Sequence, residues 1–269
     1  MASKVSRPVL KAIAIFTLIF FITQLLGLAV AAGLIKAGIK TTIVSENPED
    51  ISNAFGMMAL ILIMTFVILI LMKYIKLRKL IWPIVIMLVF STSSLAAEAF
   101  IGHYGTVFGI IFTIVFWHFR KRLIARNIVA IMAVAVAGSL LGVSLGLVPV
   151  AILVLLVGLY DIIAVFVTKH MQILAKEVVK ENLPFTIAMP TKEHKYELGG
   201  GDLVIPLMFA SSALRVNFAL TILLLLSSYI GILITLVIAA KLKRAMPAVP
   251  LQAVFMLLVF SSFAIGGML

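Results

Sequence analysis

Two carboxylates set inside apolar sequence are the residues of this chain best suited to chemistry. Asp161 follows Tyr160 in a run from Val148 to Val167 that carries no other charge. Asp202 follows Gly199, Gly200 and Gly201 and leads into Leu203, Val204, Ile205, Pro206, Leu207, Met208 and Phe209. A carboxylate surrounded by lipid is costly, so such a residue must be neutral, paired or turned toward water inside the protein, and it marks a functional site. Two carboxylates within a few ångströms of one another do not both ionise readily. One holds a proton, the other is free to act as a base, and the pair titrates as a unit. That state suits hydrolysis of a peptide bond: the charged member activates a water while the protonated one polarises the carbonyl.

The elements that must position these groups follow from composition. Of 269 residues, 64% are hydrophobic and 12% charged, against roughly 45–50% and 25% in soluble domains. Apolar runs of about 20 residues recur throughout, which excludes a barrel of short alternating strands and a protein with a single anchor. The expected fold is all-α and polytopic, a single transmembrane domain over 1–269 with spans at about 9–35, 52–74, 80–101, 104–119, 123–146, 148–169, 200–215, 217–240 and 247–268. Residues 1–146 hold spans one to five as a scaffold, and 147–269 hold spans six to nine with both aspartates. The basic start runs into an apolar stretch too long for a cleaved signal peptide, so it reads as a retained first span.

Charge supports the count. The net charge of +12 comes from short basic clusters between spans, which set topology and do not form a surface for nucleic acid. Lys4, Arg7 and Lys11, then Lys73, Lys76, Arg78 and Lys79, then Arg120, Lys121, Arg122 and Arg126, then Lys169, Lys176, Lys180, Lys192 and Lys195, then Lys241, Lys243 and Arg244 all fall on one side of a nine-span chain. Those are 19 of the 22 basic residues, leaving Lys36, Lys40 and Arg215 opposite. The N-terminus is expected in the cytoplasm and the C-terminus outside. In that topology Asp161 lies 13 residues beyond Val148 and Asp202 lies 13 residues before Arg215, each roughly 20 Å of helix from the external end. Consecutive antiparallel spans therefore bring the two carboxylates to one level. Glu98, near the external end of span three, belongs to another depth.

Other features are expected to build the bundle. Gly138, Gly142 and Gly146, and likewise Gly105 and Gly109, repeat at four-residue spacing and predict close helix packing. Ser91 to Ser94 are expected to face protein or bond to their own helix carbonyls, and Trp82, Trp117 and Tyr74 to anchor span ends at the interface. The β-branched run Ile39 to Val44 before a turn-like Glu46 to Asp50 suggests a small hairpin. Residues 170–182 have the pattern of an amphipathic helix, and the Pro- and charge-containing linker to about 198 reads as mobile. Pro247 and Pro250 bracket the start of span nine. There are no cysteines and only four histidines, with no zinc-type spacing, so no metal or other cofactor is expected.

Tyr160-Asp161, Gly199-Gly200-Gly201-Asp202 and Pro247-Ala248-Val249, in that order on spans six, seven and nine, resemble the YD, GxGD and PAL motifs of presenilins and signal peptide peptidases, the GxGD intramembrane aspartyl proteases. The resemblance extends to the nine-span layout, and the compact length resembles archaeal presenilin homologues and an archaeal cell membrane as the location. It implies Asp161 and Asp202 as the catalytic pair, with Tyr160, Gly199, Gly201, Pro247, Ala248 and Val249 as active-site support or substrate-binding positions. Val249 stands where the motif has leucine. The implied partners are a transmembrane peptide or membrane-protein substrate and the bilayer, with further copies of the chain as an option. The alternative reading is a transporter coupled to protons or cations through the same aspartates, but the sequence has no broken helix in each of two related halves.

Overall fold

In lipid every backbone donor and acceptor must be satisfied within the chain, which leaves the helix as the solution for long apolar runs of Leu, Ile, Val, Ala and Phe. A computed structural model describes residues 7–74, 77–168, 184, 186–190, 195–242 and 246–267. Among them the chain forms nine α-helices: α1 (Arg7–Ala37), α2 (Ser52–Tyr74), α3 (Leu77–Ile101), α4 (Gly105–Phe119), α5 (Leu123–Ser144), α6 (Leu147–Ile162), α7 (Gly201–Ala213), α8 (Phe218–Leu242) and α9 (Val249–Ile265). Among the described residues six stretches are long and apolar enough to cross a membrane, one of which, 82–119, takes in most of α3 and all of α4. Helices α7 and α9 are shorter apolar helices.

Local chemistry sets the helix ends. Gly38 at φ 70° terminates α1, with Ile39 N–H bonded to Leu34 O and Gly38 N–H to Ile35 O, the left-handed C-terminal motif that glycine adopts without a Cβ clash. Gly102 at φ 60° reverses the chain between α3 and α4. At α8 the Asn217 side chain accepts from the N–H groups of Ala219 and Leu220, capping donors that have no partner in the helix.

Packing directions follow from which residues meet. A Cβ added at Gly105 would lie 2.5 Å from Glu98 N, and one at Gly109 would strike Ser94, so α3 and α4 are antiparallel. On α7, Leu203 meets Gln24 of α1 and Leu207 meets Gly27. Leu207 also meets Gly138 of α5, and Ser211 meets Gly142. Helices α1, α5 and α7 thus run in parallel, as odd-numbered spans of an alternating bundle must. Because lipid tails are as apolar as leucine, burial alone does little to hold such helices together; close approach at small residues and polar contacts between helices carry the association. The polar contacts include Thr17 Oγ1 to Tyr229 Oη at 2.8 Å and Ser139 Oγ, which donates to Gly27 O. Two members of the polar run on α3 use their own helix, Thr92 and Ser93 donating to the carbonyls of Leu88 and Val89. Trp82 and Trp117 stack edge to face, and the Arg120 guanidinium lies 3.4 Å from the Trp117 ring centroid.

Two expectations are corrected. Residues 39–50 form no hairpin; several of their backbone donors are taken by side chains. Asn53 Oδ1 accepts from Val44 and Ser45 N–H, Asn53 Nδ2 donates to Asn47 O, and Ser144 Oγ accepts from Thr41 N–H. Asp50 accepts from Ser52 N–H, which, followed by the Ser52 and Ser45 hydroxyls, holds its carboxyl below the usual value of 3.8. We expect Asn53→Ala to destabilise the protein by about 1–3 kcal/mol, read as a lower thermal midpoint in detergent; an unchanged midpoint would show that the loop is held elsewhere.

The second correction is the linker before Asp202, where Thr186–Pro190 (β1) and Lys195–Gly199 (β2) pair antiparallel with Thr186 opposite Gly199. A lone hairpin is marginal. This one is anchored by Ile187, fully buried in a cluster with Phe16 and Phe20 of α1 and Leu203 of α7. The amphipathic pattern at 170–182 and the side chain of Tyr74 lie outside the described residues.

Candidate active site

Asp161 sits in the last turn of α6 and is only 8% exposed. The next five residues, Ile163–Val167, form a π-helical turn, a widened winding that often accompanies functional positions in helices. Gly158, one turn earlier, lets α9 come close: a Cβ there would lie 3.2 Å from Ala253 Cβ. The start of α9 is thereby brought to Asp161. The Val249 N–H donates to Asp161 Oδ2 at 3.2 Å, and Ala248, the N-cap just ahead of it, brings its N–H near the same carboxylate. The Val249 N–H is a first-turn donor without a partner in its own helix, and Pro250 in the first turn needs no such donor. Helices α6 and α9 are antiparallel, since Asp161 meets Val249 and Gly158 meets Ala253.

Asp202 is the second residue of α7 and is half-buried. Its helix packs against α6, and the two carboxylates are near enough for their charges to interact. The preceding glycines supply space and not unusual backbone, for none has a positive φ. A Cβ at Gly199 would lie 3.6 Å from Asp202 Oδ2, and one at Gly201 would meet nothing within 4 Å. Both glycines are exposed, so Asp202 is open on the hairpin side and closed on the bundle side, where Leu203 and Ile205 to Ala213 are all buried. Pro206 cannot donate to the carbonyl of Asp202, leaving the first turn of α7 one hydrogen bond short.

The structure therefore brings Asp161, Asp202, Gly199, Ala248 and Val249 together. Tyr160 lies half-buried beside Asp161 on α6, Pro247 is buried just ahead of α9, and Gly201 faces open space. Glu98 is exposed on α3 against α4, apart from this group. Val249 contributes its backbone donor, while its side chain belongs to the buried cluster that also holds Val154, Ala253 and Met256. One participant escaped the sequence reading: Gln24 of α1, which donates from Nε2 to the carbonyl of Leu203 at 3.1 Å. An amide in the middle of an apolar run was the available signal. Deleting the donor to Asp161 by Val249→Pro, which suits a first helical position, should lower turnover about 10- to 100-fold. A hydrogen bond to a charged group is worth about 1.5–3 kcal/mol; a kcat within twofold of wild type would show that this bond does not matter.

A family model described as signal-peptide peptidase, presenilin aspartyl protease matches residues 17–260. Among solved structures the chain is similar to a presenilin family intramembrane aspartate protease in space group C222, with a TM-score of 0.70 and 19% identity over 96% of this chain and 99% of that one. A presenilin family intramembrane aspartate protease in space group P2 gives a TM-score of 0.66 and 21% identity over 92% and 95%. At these identities the structural likeness is one of fold. No curated protein matches the chain.

Proposed function

The chain belongs to the signal-peptide peptidase, presenilin aspartyl protease family, and from that premise we propose that it hydrolyses peptide bonds within or near transmembrane helices, with Asp161 and Asp202 as the catalytic pair. The observation that carries this reading is the Asp161 carboxylate, held by Val249 N–H within electrostatic reach of Asp202. One carboxylate takes a proton from water as its oxygen attacks the peptide carbonyl carbon. The other, protonated, donates to the carbonyl oxygen. Proton return to the amide nitrogen then breaks the C–N bond and releases an acid and an amine.

A helical substrate must be unwound first, and the hairpin beside Asp202 suits that task. Strand β2 runs directly into Gly199, so a peptide added along the free edge of the hairpin would recover in strand hydrogen bonds what it loses from its helix. Val249 and Ala248 support the site from α9, with Tyr160, Gly199, Gly201 and Pro247 shaping its margin. Helices α1 to α5 act as scaffold and α6 to α9 as the catalytic half. The basic clusters put the N-terminus in the cytoplasm and the C-terminus outside.

The test is purified protein in nanodiscs with a labelled transmembrane peptide in water enriched in oxygen-18. The expected result is a cut inside the apolar segment, with one heavy oxygen at the new carboxyl terminus. No cleavage, together with proton or cation flux in proteoliposomes, would overturn the reading in favour of a transporter.

A further inference from the structure

We propose that Gln24 is a positioning residue that holds Asp202 in register with Asp161; this rests on the catalytic reading of Asp202 given above. The first turn of α7 is weakly tied on its own account. It begins in three successive glycines, its N-cap Gly200 has no capping side chain, and Pro206 leaves the Asp202 carbonyl without its helical donor. The bonds from Leu203 and Val204 N–H to Gly200 O close that turn at its start. Gln24 reaches across from α1 and donates to the carbonyl of Leu203, the residue next to Asp202. One turn further along both helices, Gly27 admits Leu207 at close contact, so α1 holds α7 at two successive turns.

The cost of this arrangement argues that it serves more than stability. Gln24 is 1% exposed, and among the described residues its Oε1 has no hydrogen-bond partner. A buried acceptor left unpaired is unfavourable, and methionine of similar shape would fill the site without that penalty. An amide retained at such a place is explained by what its donor holds: the turn that aims Asp202.

The experiment compares Gln24→Met, which keeps shape and removes the donor, with Gln24→His, which restores an N–H at similar reach, in steady-state cleavage of the labelled peptide and in thermal unfolding. The expected result for Gln24→Met is an unfolding midpoint equal to or above wild type, KM within twofold, and kcat down about 10- to 100-fold, the penalty of a slightly misplaced catalytic group. Gln24→His should recover a substantial part of kcat. An unchanged kcat in Gln24→Met, or a fall in kcat that tracks a lower midpoint and a higher KM, would overturn the inference. Gln24→Leu gives a second apolar replacement if the methionine variant does not fold, and failure of both would make Gln24 structural. Asp202→Asn run in parallel separates the two levels. If it cleaves like wild type, the catalytic reading fails; if it is inactive while Gln24→Met is unaffected, only the positioning role fails.

Discussion

Asp161→Asn and Asp202→Asn, each alone, should reduce cleavage of a transmembrane peptide by about 10³-fold or more while leaving the thermal midpoint near that of wild type. Each carboxylate is assigned a proton transfer, and such groups contribute ~10²–10⁴-fold. Asparagine keeps the shape and removes both the base and the exchangeable acid. Because the pair acts as a unit, the double variant should be no slower than either single one. At Asp161 the amide oxygen can still accept from Val249 N–H, so the start of α9 stays in place and the loss is one of chemistry. Wild-type turnover in either variant, measured by appearance of the new N-terminus, would remove the aspartate pair from the mechanism.

The second large effect is expected far from either carboxylate. In Gly142→Val the new side chain would strike the carbonyl of Met208, and its Cβ would lie 2.6 Å from Ser211 Cβ. A backbone carbonyl in a helix that is buried on every side cannot swing away as a flexible side chain can. Overpacking typically costs about 1–3 kcal/mol, more where the neighbour cannot yield, and whole domains are stable by only about 5–15 kcal/mol. The variant should therefore show a markedly lower thermal midpoint together with loss of cleavage. Gly201→Ala is the contrasting change: its Cβ meets nothing within 4 Å and the midpoint should not move. Equal stability for the two variants would mean that α5 does not clamp α7.

What the chain reveals before folding depends on the range of the forces involved. The helices are legible because lipid permits few alternatives to a satisfied backbone, and each apolar run carries its own evidence. The meeting of Asp161 and Asp202 is legible because helix rise converts residue number into depth. The glycine spacing on α5 likewise announces a close approach, though not that its target is the helix bearing Asp202. Contacts made by backbone groups are another matter. Nothing in Val249 as a residue type declares that its N–H serves Asp161, since any residue but proline would offer the same donor. The hairpin is hard to read in the sequence because its strands hold Pro190 and the charged Lys195 and Glu197, while the buried Ile187 that helps tie it to the core is one apolar residue among them. The loop at 39–50 misleads the other way: its β-branched residues suggest strands, but Asn53 at the start of α2 and Ser144 of the distant α5 supply partners instead. The π-helical turn after Asp161 has no compositional mark.

The shortness of α7 has a consequence for the membrane around it. Thirteen residues reach roughly 20 Å, about 10 Å less than a typical hydrocarbon layer. In a bilayer of that thickness the glycine stretch and the hairpin, which lie next along the chain, would have to meet the remaining depth unless the surrounding lipid thins. Short-chain lipids would then leave the approach to Asp202 hydrated and long-chain lipids would submerge it, so turnover is expected to fall as acyl chains lengthen.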